Sequence, residues 1–210
     1  MIKYWQDNSA RMMQLTIEHA RMVLIALFIA FLVAIVLSAV FLRKKNWMNS
    51  LIYFFSLLYS VPSYAFFALL IPITGLGETT AIIVLAFYNE YVLLRTFITG
   101  IREVDPNYIE VARGMGMTQE EIFTRVQLPL SMPAIFSGLQ VALASTMAIA
   151  TIASTISAGG LGDLMFEGLQ TGRVVSILWG TILTVALTLV CIVILKLIEN
   201  LVISDGLEKS

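Results

Sequence analysis

The chain has one cysteine and one histidine in 210 residues, and only 13% of its residues are charged. Each scarcity closes a class of chemistry. Cys191 stands alone inside an apolar run, so it builds neither a disulfide framework nor a thiolate metal site. His19, equally alone, reads as an interfacial polar residue ahead of the first apolar run rather than as a ligand. Basic residues cluster only at Arg43, Lys44 and Lys45, and the net charge is −1, which leaves no footprint for nucleic acid. None of the five lysines follows a glycine, so there is no G-x-x-x-x-G-K-[ST] phosphate loop and no ATP hydrolysis by that route. There is no G-x-S-x-G either, and Glu90 has no acidic partner in another apolar run. The pairs needed by an intramembrane hydrolase are missing.

What the chain has is apolar surface. Hydrophobic residues make up 59% of it, against roughly 45–50% in globular domains that also carry about 25% charge. Mean hydropathy is +0.89. Such a composition cannot cover itself with polar groups, so the solvent is lipid. A helix rising about 1.5 Å per residue needs about 20 apolar residues to cross the hydrocarbon core. Stretches 22–42, 51–73, 79–97, 131–155 and 174–197 meet that need. The expected fold is all-α, a polytopic membrane bundle of about five spans. Residues 1–21 form an N-terminal interfacial segment, too mixed for a cleavable signal peptide. Residues 22–202 form the membrane domain, and 203–210 a C-terminal tail. Pro62 and Pro72 predict a kink in the second span, tolerated where neighbours re-satisfy the freed carbonyls. The fourth span is rich in small residues such as Gly138 and Ala142, which let helices approach closely.

Five spans put the termini on opposite faces. A cytoplasmic Arg43–Asn49 turn places nine Lys/Arg inside and leaves Lys3, Arg11, Arg21 and Arg173 outside, as the positive-inside rule prefers. The N-terminus is then expected outside and the C-terminus in the cytoplasm.

Residues 98–130 separate the third and fourth spans, and their chemistry is specific. Asp105-Pro106 predicts a helix start, with Asp as cap and Pro at the first helical position. A short helix follows over 107–115, and Gly114 and Gly116 permit a turn. Thr118 and Glu121 read as a capping box. A second helix then carries Ile122, Phe123 and Val126 on one side, with Glu121 and Arg125 at i,i+4 spacing. Leu128-Pro129 is expected to end it. An apolar face held just outside the bilayer suits a groove on a partner, although a packed loop without a partner would show the same pattern.

Glu110-Val111-Ala112, Gly116 and Val126-Gln127-Leu128-Pro129 resemble the EAA loop of ABC importer permeases. That pattern is Glu-Ala-Ala, three residues, Gly, nine residues, Ile-x-Leu-Pro; Val111 and Val126 stand where it has Ala and Ile. The resemblance extends from about Thr16 to Asn200 and implies a type I importer permease. It implies that Glu110, Val111, Ala112, Gly116, Thr118, Glu121, Ile122, Phe123, Val126, Leu128 and Pro129 form a coupling element seated on an ATPase subunit. It further implies two ABC ATPase copies carrying ATP and Mg, a second permease subunit (identical or different) and an extracytoplasmic substrate-binding protein. The setting is a bacterial plasma or inner membrane, with no cofactor on this chain.

Further stretches are most similar to the permeases for glycine betaine, carnitine and choline: Ser60-Val61-Pro62-Ser63, Leu70-Ile71-Pro72 with Gly75-Leu76-Gly77, and Gly159-Gly160-Leu161-Gly162-Asp163. The last also resembles methionine-importer permeases, so an amino-acid substrate stays open. A quaternary ammonium donates no hydrogen bond and is held by aromatic faces. Tyr59, Tyr64, Tyr88 and Tyr91 are candidates for a translocation path, besides the usual roles of aromatic residues in anchoring and packing. Glu90 is ionisable within a span, which is costly and calls for a role. It either lines the path and attracts a cation or pairs with Arg95 or a neighbouring subunit. Asp163, Glu167 and Glu78 lie outside, facing a binding protein or only water. A secondary transporter would be longer and internally repeated, and it would leave the loop pattern unexplained.

Overall fold

A computed structural model describes residues 1–41 and 44–203; the basic turn at Arg43 and all but the first residue of the expected C-terminal tail lie outside the described residues. The described residues are helical nearly throughout. Helix α1 runs from Ile2 to Phe41, so the mixed segment 1–21 is helix continuous with the first span. Nothing interrupts it, because no proline or glycine occurs before Phe41. Its polar outer half finds partners instead. Arg11 pairs with Glu167 at 2.6 Å, Tyr4 Oη donates to Ser176 Oγ at 3.0 Å, and the Trp5 and Trp179 rings lie 5.0 Å apart. His19 corrects the interfacial reading. It is fully buried, with its Nε2 3.2 Å from the Met147 carbonyl oxygen and its ring against Gly160.

The second span is broken rather than kinked. Helices α2 (Lys45–Ser60) and α3 (Ser63–Thr74) meet at 98°. Val61 is extended at ψ 131°, the conformation to which a following proline confines its neighbour. Pro72 lies inside α3 without breaking it.

Helix α4 (Glu78–Arg102) is the axis of the bundle, packed between α1 and α7 (Leu128–Ile152). Small residues allow the α4–α7 approach: a Cβ on Gly138 would sit 2.1 Å from Thr96 Oγ1. Lipid supplies no hydrophobic drive between helices, so such packing and buried hydrogen bonds hold the bundle together. Thr146 Oγ1, for example, donates to Asn89 Oδ1 at 2.7 Å across the same interface. A 3₁₀ turn (Ala153–Ile156) ends α7. The chain then re-enters through a glycine-rich loop into α8 (Gly162–Thr171), where a Cβ on Gly162 would meet the Thr151 carbonyl oxygen at 2.0 Å. Helix α9 (Val174–Val202) packs along α8 and one edge of α7 and is otherwise largely exposed. Four single helices and the bent α2–α3 pair are long and apolar enough to cross a membrane, in agreement with about five spans.

Candidate functional site

Between α4 and α7 the chain folds into an elbow. Asp105 accepts the Asn107 N–H at 2.9 Å and Pro106 opens α5 (Pro106–Gly114). The turn out of α5 places Gly116 at φ +82°, in the left-handed region that a Cβ disfavours, and returns the Met117 N–H to the Ala112 carbonyl. The capping box then starts α6 (Gln119–Ile122). Thr118 Oγ1 accepts the Glu121 N–H at 3.3 Å, while Glu121 Oε2 accepts the Thr118 N–H and hydroxyl at 3.0 Å each. Those donors hold the Glu121 carboxyl below the usual carboxylate range. Arg125 approaches it at 4.0 Å.

Leu128-Pro129 does not end the second helix, contrary to the sequence expectation. Residues Phe123–Gln127 form one π turn, in which the Leu128 N–H reaches the Phe123 carbonyl, and the chain continues into α7. Pro129 has no N–H to give, and the widened turn just ahead of it is where the continuous helix accommodates that missing bond. A wide turn absorbs the extra residue.

The apolar face of the second helix turns inward instead of outward. Ala112 and Ile122, each 1% exposed, are buried where α5, α6 and the π turn pack on one another. Phe123 and Leu128 line an apolar cavity of about 360 Å³ with Phe97 and Met132. Val126 and Pro129 are half-buried, so the Ile122, Phe123 and Val126 face is turned inward. Outward, α5 presents Tyr108, Val111 and Met115, all more than half exposed. Their i, i+3, i+7 spacing was readable in the sequence as one helical stripe; Tyr108 and Met115 are the docking candidates the sequence reading omitted. Glu110, Gly116 and Thr118 are also exposed.

The residues considered for a path separate into three places. Tyr59 lies with its ring 5.5 Å from Tyr88 and 5.0 Å from Tyr91. Tyr88 donates its hydroxyl to the Val61 carbonyl at the α2–α3 break. Arg95 caps this aromatic wall, donating to the Tyr91 hydroxyl at 2.7 Å with its guanidinium 5.9 Å from the ring centre. Tyr64, on α3, is exposed and makes none of these contacts. Glu90 does not join them and is not paired with Arg95; it is 4% exposed on another face of α4, and neither carboxyl oxygen has a hydrogen-bond partner among the described residues. Among the outer carboxylates, Glu167 holds Arg11 at 2.6 Å and Glu78 holds Arg21 at 2.5 Å. Glu18 accepts the Gly160 N–H at 3.4 Å.

A bundle with one broken span, a glycine-rich re-entrant loop and an elbow ahead of its fourth span has the fold of a type I ABC importer permease. It superposes on a chain of the inward-facing MetNI methionine ABC transporter with a TM-score of 0.80, at 19% identity, covering 92% of this chain and 99% of that one. The chain belongs to the family described as the binding-protein-dependent transport system inner membrane component, which matches residues 26–204. It is 34% identical to the choline transport system permease protein OpuBB of Bacillus subtilis, over 100% of this chain and 96% of that protein. It is 33% identical to the glycine betaine/carnitine/choline permease protein OpuCB of the same organism, over 99% and 96%. The carnitine transport permease protein OpuCB of Listeria monocytogenes is 37% identical over 90% of this chain and 87% of that protein.

Proposed function

We propose that this chain is the membrane subunit of an ABC importer for a small osmoprotectant of the quaternary-amine class, moved inward with ATP hydrolysed on a separate subunit. The substrate class rests on the relatives named for choline, glycine betaine and carnitine transport. The observation that carries the mechanical part is the capped elbow, which holds Tyr108, Val111 and Met115 outside the spans, covered by none of the described residues. A stripe of that kind suits a groove on a partner, and the chain has no phosphate loop of its own. In this reading α5 is cytoplasmic and sits on an ATPase that binds ATP and Mg, two copies serving a pair of permease subunits. An external binding protein delivers substrate to the face that bears α8.

Force on α5 reaches the membrane through two rigid links. Ala112 and Ile122 are buried where α5 and α6 pack on the π turn, and the π turn carries α6 directly into α7. Helix α7 packs on α4, which carries Tyr88 and Tyr91 of the aromatic wall. Movement of the elbow thus shifts the wall where Tyr59 and the α2–α3 break border the path, with Tyr64 beyond it.

The test is purification of the tagged chain from its native membrane and identification of what accompanies it. An ABC ATPase is expected, and proteoliposomes holding the assembly are expected to take up choline or glycine betaine. Gly116→Asp is expected to release the ATPase or to separate ATP hydrolysis from uptake. If both coupling and assembly survive that change, the loop assignment is wrong.

A further inference from the structure

The cavity that Phe123 and Leu128 share with Phe97 and Met132 serves neither the exposed stripe of α5 nor the aromatic wall. It holds about 360 Å³ among α1, α4, α7 and the last turn of α9. On α1 it reaches from Phe31 to Ala39, a rise of about 12 Å. Helix α1 ends just beyond, at Phe41. The cavity therefore lies in the elbow's half of a hydrocarbon core about 30 Å thick.

Its walls are carbon. Ser38 is the one lining residue with a polar side chain, and its Oγ is buried. Water finds no hydrogen-bond partner on such walls, and a cavity of this kind takes an apolar guest. An ion or a polar substrate would lose its hydration there without compensation.

The mouth decides which apolar guest. Of the lining residues, Ile35 and Ala39 of α1 and Val202 of α9 are the exposed ones, so they form its lips. Beside them α1 exposes Leu32, Val36 and Val40, and α9 exposes Leu197, Ile198 and Leu201. Membrane helices that approach a partner closely do so through small or polar residues. These faces offer large aliphatic side chains instead, which suit lipid. The medium at the mouth is hydrocarbon.

We propose that this cavity binds one acyl chain of a bilayer phospholipid, inserted between α1 and α9. The chain packs on Phe123 and Leu128, the two residues whose backbone bond closes the π turn. It thereby braces the joint between α6 and α7. The site is independent of what the bundle transports.

The experiment photolabels the purified assembly in phosphatidylcholine nanodiscs containing a phosphatidylcholine with a diazirine midway along one acyl chain. Peptide mass spectrometry maps the adducts. Labelling is expected on Met132 and Phe136 inside the cavity, besides Leu32 and Leu197 on the outer faces. Leu139→Trp, which fills the cavity from α7, is expected to reduce the inner labelling about tenfold and to leave the outer labelling unchanged. Where that variant fails to assemble, Ala39→Phe, which narrows the mouth from α1, carries the same expectation. Adducts confined to Leu32 and Leu197 in the unaltered protein overturn the site, whether residues 204–210 or a neighbouring subunit covers the mouth instead. Inner labelling that persists in an assembled filling variant overturns it too.

Discussion

The Tyr88 hydroxyl reaches a carbonyl that belongs to neither neighbouring helix, because Val61 lies at the break between α2 and α3. Removing that donor leaves a backbone acceptor poorly satisfied in a region with little water, at a cost of about 1–3 kcal/mol. Tyr88→Phe is therefore expected to lower the thermal stability of the detergent-solubilised protein, while Tyr53→Phe, whose ring is exposed, is expected to leave it unchanged. Thr146→Val belongs to the same scale. It strips the one hydrogen bond that the Asn89 side chain makes among the described residues and is expected to cost about 1 kcal/mol, within the range of interhelical bonds in membranes. Residue identity made some of this legible: a proline in an apolar run signalled distortion, and a lone carboxylate signalled cost. Which hydroxyl would answer the proline was not legible, since Tyr88 and Val61 are joined only through packing. His19 was misread for the same reason. It precedes the apolar run in the chain, yet α7 and the glycine-rich loop cover it.

Among elements, the elbow is the one whose local rules all agree. Asp105, Pro106, Gly116, Thr118 and Glu121 act on backbone groups within three residues of themselves, so both caps and the turn were readable from the chain. Thr118→Ala is expected to cost about 1 kcal/mol of local stability, seen as faster amide exchange over residues 119–122. The Glu121 carboxyl titrates lower in the fold than its unfolded value of about 4.3. Its contribution is therefore complete above that value and is lost as pH falls through the folded value. Protection of residues 118–122, corrected for intrinsic exchange, is expected to be level from about pH 8 to 5 and to fall below about 4. The π turn was not legible, because Leu128-Pro129 stops a helix in one context and opens one in another. Deleting Thr124 should convert the π turn to α-helix with little rotation of α5 and α6, since the wide turn holds one extra residue in nearly the same rotation. Inserting an alanine after Leu130 should instead rotate them by about 100° relative to the rest of α7. Loss of the co-purifying ATPase with retained membrane insertion is the expected readout of the added alanine.

For the whole molecule, the proposed orientation has a direct check. With Cys191→Ser as background, Tyr108→Cys is expected to react with an impermeant maleimide only from the cytoplasmic side, and Leu169→Cys only from outside. The reverse pattern would remove α5 from the reach of any cytoplasmic ATPase. Composition and hydrophobic period alone determined that the chain is a helical membrane protein of about five spans, because lipid forces each backbone group to bond within its own helix. The capped elbow followed from rules that act between near neighbours in the chain. Tertiary structure alone decided that Ile122 points inward and Tyr108 outward, that the second span turns through 98°, and that the Glu90 carboxyl is buried. Those outcomes depend on which helices pack together and how closely. In a medium without a hydrophobic drive, that is settled by fit between residues far apart in the chain.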